Sequence, residues 1–152
     1  MKPTRSRKHR PDTTSLRQVA MFRMADERRL EQVAAHTDVV RVPAGRIVAQ
    51  AGRSALQFLA VIEGEVGETS AEGNGRPLGA GTTIGARELV DGTAHPTTVT
   101  TLTDTTFVVI EGSAFRWSAH EIAGVTDHLS PAPNLPRKST PWRANPLQVR
   151  PA

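Results

Sequence analysis

The residues best suited to chemistry lie in two neighbouring stretches, Gly81-Thr-Thr-Ile-Gly85-Ala-Arg-Glu-Leu-Val-Asp-Gly92 and His95-Pro-Thr-Thr-Val99. The glycine turn at Gly85 leads into Ala86 to Leu89, where exposed backbone N–H groups would favour an anion. Arg87 and Glu88 read first as a solvated helix face, and Asp91-Gly92 as a turn. The five histidines, His9, His36, His95, His120 and His128, show no His-x-His or His-Glu-x-x-His spacing, so no metal site is expected. The chain has no cysteine, which excludes disulfide scaffolds, zinc knuckles, iron–sulfur clusters and thiol nucleophiles. It has neither a Gly-x-Ser-x-Gly elbow nor a P-loop. These absences argue against an enzyme and for a binding or interaction role.

The elements that must position these stretches change character near residue 38. Before it the pattern is helical. Ser15 is placed to cap a short turn through Phe22, and Asp26 to cap a helix whose Leu30, Val33 and Ala34 share one face. After it come short segments rich in β-branched residues and separated by glycines: Val39 to Val42, Arg46 to Ala49, Phe58 to Ile62, Glu65 to Thr69, Thr98 to Leu102 and Thr106 to Ile110. Glu72-Gly-Asn-Gly75 supplies a hairpin turn. Ser113 to Leu129 returns to helical spacing, with Phe115, Ile122 and Val125 as buried positions. The order predicts a mainly β fold with flanking helices, a double-stranded β-helix or jelly-roll barrel.

The glycine frame is specific. Pro43-Ala-Gly-Arg-Ile-Val, Gly52, Phe58-Leu-Ala-Val-Ile-Glu-Gly64, Gly81-x-x-Ile-Gly85, Leu89-Val-Asp-Gly92 and Thr98-Val99 together resemble the cyclic nucleotide-binding domain of the catabolite-activator type. The resemblance covers about residues 15 to 129. It implies that ligand chemistry, with cAMP or cGMP as the ligand, resides in a phosphate-binding cassette. The cassette reads approximately Phe-Gly-Glu-x-x-Leu and ends in Pro-Arg, small residues and a Thr-Val or Ser-Val pair.

The match fails in the cassette. Gly85 keeps the close turn, but Ala86 occupies the place of the ribose-binding glutamate and His95 that of the phosphate-binding arginine. Pro96 stands where a residue with an N–H, often also a hydroxyl, would be, and proline cannot donate. Thr97 completes the ligand-facing set of Gly85, Ala86, Arg87, Glu88, His95, Pro96 and Thr97. Losing a desolvated charge pair typically costs about 2 to 5 kcal/mol and losing a ribose acceptor about 1 to 3. Even the low sum, roughly 3 kcal/mol, is more than a hundredfold in affinity. The expectation is a stand-alone regulatory or interaction module with cAMP and cGMP binding weakened or lost. A sensor of cyclic nucleotide or another small anion, with a remodelled cassette, is the alternative.

Charge is strongly partitioned. Residues 1–10 and 131–152 hold nine Lys/Arg and no acidic residue, which leaves residues 11–130 at net −5. Residues 131–152 also hold six of the eleven prolines, a composition for an extended tail. The expected organisation is a basic disordered arm at 1–12, the barrel domain at 13–130 and a Pro/Arg-rich disordered tail at 131–152. Pro131 is expected to stop any long helix leading to a DNA-reading module. The partner expected is another protein, with Trp142 and Arg143 as a weak linear-motif anchor. Nucleic acid held by the basic tails is a third reading, opposed by the acidic core. The longest apolar runs are about five residues, far short of a membrane span, so a cytoplasmic location is expected.

Overall fold

The computed structural model of the chain describes residues 13–122 and 124–126. The terminal arm and tail assigned from sequence, with Trp142 and Arg143, lie outside the described residues. Three short helical elements come first: α1 (Thr14–Arg17), a 3-10 turn (Ala20–Phe22) and α2 (Glu27–Ala34). Asp26 caps α2 as expected, its carboxylate accepting from the Arg29 N–H at 2.9 Å. Leu30, Val33 and Ala34 are buried.

Ser15 is not a cap. Thr13 stands at the N-cap position of α1, and its hydroxyl donates to Glu27 Oε2 at 2.8 Å, joining α1 to α2. Arg17 binds the same carboxylate at 2.8 Å.

Eight strands follow: β1 (Thr37–Val42), β2 (Ile47–Ala49), β3 (Gln57–Glu63), β4 (Val66–Thr69), β5 (Gly75–Leu78), β6 (Thr83–Ile84), β7 (Thr98–Thr101) and β8 (Thr105–Glu111). They form two antiparallel four-stranded sheets, in the order β1-β8-β3-β6 and β2-β7-β4-β5. This is the jelly-roll architecture read from the sequence. The Glu72–Gly75 run makes the β4–β5 hairpin, with Gly73 at φ +87°. Gly64 closes the turn after β3 at φ +103°, where a Cβ would lie 2.7 Å from the Asp104 carbonyl oxygen.

β5 and β6 escaped the sequence reading. Gly75-Arg-Pro-Leu78 lacks the β-branched signature, and it pairs because it is the edge strand, where proline is tolerated. β6 is two residues long and is set by its pairing with β3.

Helix α3 (Ala86–Asp91) lies between β6 and β7, and α4 (Gly112–Glu121) follows β8. α4 ends well before the Leu129 expected from sequence, because Ile122 turns to extended backbone and Gly124 takes φ +89°. Phe115, Ile122 and Val125 are nevertheless all buried. No helix among the described residues is long and apolar enough to cross a membrane.

β3 and β8 are buried on both faces and so divide the apolar residues into two clusters. Phe58, Ala60, Val108 and Ile110 face the helices, whereas Leu59, Val61 and Phe107 face the second sheet and enclose the inside of the roll with Val66, Ile84 and Val99. On the helical side Phe58 stacks on Phe115 with centroids 4.5 Å apart, and Phe22 meets both rings edge-on at 6.3 and 6.4 Å.

This aromatic trio is the joint between sheet and helices. Truncating Phe58 to alanine should destabilise the fold by about 3 to 5 kcal/mol. Met24→Ala, at a 93% exposed position, should change it by less than about 0.5 kcal/mol. Urea denaturation followed by circular dichroism measures both. Equal effects would contradict the assignment of the joint.

Candidate functional site

Gly85 sets the site. It begins α3 in the left-handed region, φ +87°, and a Cβ there would sit 2.7 Å from the Gln57 carbonyl oxygen and 3.6 Å from His95 Cε1. Only glycine allows β3 and the start of α3 to approach this closely. Gly92 ends the helix, also left-handed, with its N–H on the Glu88 carbonyl at 2.8 Å. The α3 turn is therefore held at both ends by the glycines that flagged it in the sequence.

The side chains differ from a conventional anion cradle. Ala86 is buried and packs with Leu89 into the helical-side cluster. Arg87 is bound along its own helix to Asp91, Nε to Oδ2 at 3.2 Å. Glu88 holds the end of α3 through its carbonyl, which also accepts from Thr93 at 3.1 Å.

His95 is buried, and its backbone is fully engaged: its N–H donates to the Arg53 carbonyl and its carbonyl accepts from Gly52, both at 2.9 Å. Burial holds its imidazole below the ordinary histidine pKa, and the nearby Glu88 carboxylate only partly offsets this. At neutral pH the ring is thus an uncharged group and a poor replacement for a guanidinium. Pro96 is exposed and carries no N–H. Thr97 is buried, and its hydroxyl donates to Glu68 Oε2 at 3.1 Å.

The structure brings Gly85 and His95 together, packs Ala86 into the core and directs Arg87 to its own helix. Beside His95 lies a pocket of about 260 Å³, walled by Ile47, Ala49, Leu56 and Leu59 with Gln50, Arg53, Ser54 and Gln57 at its polar side. That is slightly below the range of about 300 Å³ and upward usual for small-molecule sites.

Arg53, Glu68 and Arg76 were not singled out by the sequence reading. A usable signal existed for the last two. Glu68 and Arg76 stand symmetrically about the Glu72 hairpin turn, and antiparallel pairing places such residues opposite each other. Among the described residues no group of three or more metal-ligating side chains occurs.

The lowered His95 pKa fixes a pH dependence. The unfolded chain binds the His95 proton more readily than the folded one, so in the window between the folded pKa and about 6.5 stability rises with pH. Stability should therefore fall as pH drops from 7 to 5, and His95→Gln should flatten that fall. Urea midpoints across this range test it, and an unchanged slope in the variant would contradict it.

The sequence matches the family model described as "Cyclic nucleotide-binding domain" over residues 39–120, more than half of the chain. No curated protein matches it. Among solved structures it is similar to the sensor domain of the transcriptional regulator DNR from Pseudomonas aeruginosa, with a TM-score of 0.66 and 15% identity, over 76% of this chain and 85% of that one. It is also similar to the regulatory domain of Toxoplasma gondii PKA with cAMP, with a TM-score of 0.65 and 19% identity, over 76% of this chain and 45% of that one. A third likeness is to the regulatory subunit of a cAMP-independent protein kinase A from Trypanosoma brucei, a triple mutant bound to cAMP. There the TM-score is 0.66 at 18% identity, over 78% of this chain and 46% of that one. The chain thus spans less than half the length of the two kinase regulatory chains. Glycine frame, two-sheet roll, α3 turn and family match agree: the chain belongs to the cyclic nucleotide-binding domain family.

Proposed function

We propose that this chain is a non-catalytic regulatory or interaction module that keeps the cyclic nucleotide-binding roll but binds cAMP and cGMP weakly or not at all, and that it acts through another protein. The observation that carries the reading is the joint state of three positions. Ala86 offers a buried methyl group, His95 a neutral buried ring and Pro96 no donor. The cation nearest to them on α3, Arg87, is engaged by Asp91.

A cyclic phosphate entering here would meet the Gly85 turn but neither a fixed positive charge nor a ribose acceptor from the cassette. The deficit is roughly 3 kcal/mol or more. The Trypanosoma brucei neighbour offers a parallel, since a protein described as cAMP-independent is seen with cAMP as a mutant that includes a threonine-to-arginine substitution.

Calorimetric titration with cAMP and cGMP, of the natural chain beside a variant carrying Ala86→Glu, His95→Arg and Pro96→Ser, tests the reading. The variant should bind at least about a hundredfold more tightly than the natural chain. Micromolar binding by the natural chain would overturn the reading, because recognition would then survive without the cassette's acid and cation. Two flat titrations would overturn the attribution of the loss to these three positions.

A further inference from the structure

Glu68 and Arg76 face each other across β4 and β5, and Glu68 also faces Val99 across β4 and β7. Directly opposed residues share a face of a sheet, and Val99 is packed inside the roll with Leu59, Ile84 and Phe107. Glu68 and Arg76 therefore project into the roll. Thr97, two residues before Val99, projects the same way and donates to Glu68 Oε2, while Arg76 Nε bonds Glu68 Oε1 at 3.1 Å. The same cross-sheet row continues through Val99 to Ala49, in the wall of the pocket beside His95.

Two features set this pair apart from a packing element. Its side chains are 21% and 37% exposed, so it is partly buried and still reachable by solute. A pair in that position gains little net stability over apolar residues of similar volume, so core packing gives no reason for it. Arg76 also spends only its Nε on Glu68. Its two Nη groups, the fork that matches a phosphate or carboxylate, have no partner among the described residues. Glu68 thus holds the guanidinium in place with its donor end presented.

One carboxylate acceptor and one guanidinium are the groups missing at positions 86 and 95. We propose that Glu68, Arg76 and Thr97 form the recognition centre of this roll. Arg76 takes the anionic group of a small ligand and Glu68 accepts from its hydroxyls, the chemistry of a sugar phosphate or a nucleotide. The proposal rests on the reading that the cassette has lost its own acid and cation.

The test is calorimetric titration with cAMP, cGMP, 5′-AMP and ribose 5-phosphate of the natural chain and of Arg76→Gln, Arg76→Lys, Glu68→Gln, His95→Gln and Arg116→Gln. The last is an exposed charge on α4 that controls for net charge. Circular dichroism verifies that each variant is folded, and Arg76→Lys carries the test should Arg76→Gln not fold.

At least one probe should bind the natural chain below about 1 mM, Arg76→Gln should weaken it by at least about tenfold, and Arg76→Lys should recover part of the loss. Glu68→Gln should weaken it too, and Arg116→Gln should not. Absence of binding by every probe, or binding indifferent to Arg76, would overturn the proposal. Binding abolished by His95→Gln but not by Arg76→Gln would return recognition to the cassette and overturn the eroded-cassette reading as well. Binding of cAMP or cGMP by the restored triple variant alone would leave that reading standing and remove only this one.

Discussion

The pairing of β3 with β8 is the constraint on which the rest of the molecule depends. Each strand is buried on both faces, so side-chain alternation sends Phe58, Ala60, Val108 and Ile110 to the helices and Leu59, Val61 and Phe107 to the inside of the roll. A slip of one residue would exchange the two sets and dismantle both clusters at once. With the register fixed, the Phe22–Phe58–Phe115 trio anchors α4 and the N-terminal helices on one side. On the other side the second sheet closes over a space that polar groups enter from β4, β5 and the segment before β7.

Gly85 connects this architecture to function. Its left-handed backbone lets α3 start against the Gln57 carbonyl, which places the α3 turn beside His95 at the mouth of the roll. The glycine turn and the start of α3 are thus set at the level of backbone. The side chains that flank it are a buried methyl at Ala86, a buried imidazole at His95 and the exposed ring of Pro96. Inside the same roll a carboxylate and a guanidinium appear on the sheet, joined to the cassette exit through the Thr97 hydroxyl. Fold membership alone is a poor guide to what a chain binds.

Much of this was legible in the sequence, for physical reasons. The glycines at 64, 73, 85 and 92 mark left-handed backbone that few other residues adopt, so their spacing encoded the turns of the roll. Strands buried on two faces announced themselves as continuous apolar runs. Asp26 announced a helix start. Ser15 misled because Thr13 takes the N-cap position and sends its hydroxyl to Glu27. β5 was hidden by its glycine and proline, α4 was overextended because Ile122 and Val125 are buried without being helical, and β6 was too short to carry a pattern. Gly85 and His95, which the structure brings together, lie in one contiguous stretch of sequence. Glu68 and Arg76 sit on separate strands and meet through register, so only their symmetry about the Glu72 turn could have paired them in the sequence.

The proposed function requires that the α3 turn and its flanking residues hold a cyclic nucleotide weakly or not at all. The most direct measurement is amide nuclear magnetic resonance of the uniformly ¹⁵N-labelled chain titrated with cAMP to about 1 mM, a concentration that would populate even a weak site with millimolar affinity. No saturable shift of the Gly85, Ala86, Arg87, Glu88 and Leu89 amides is expected. Saturable shifts concentrated on those five amides and on His95 would contradict it.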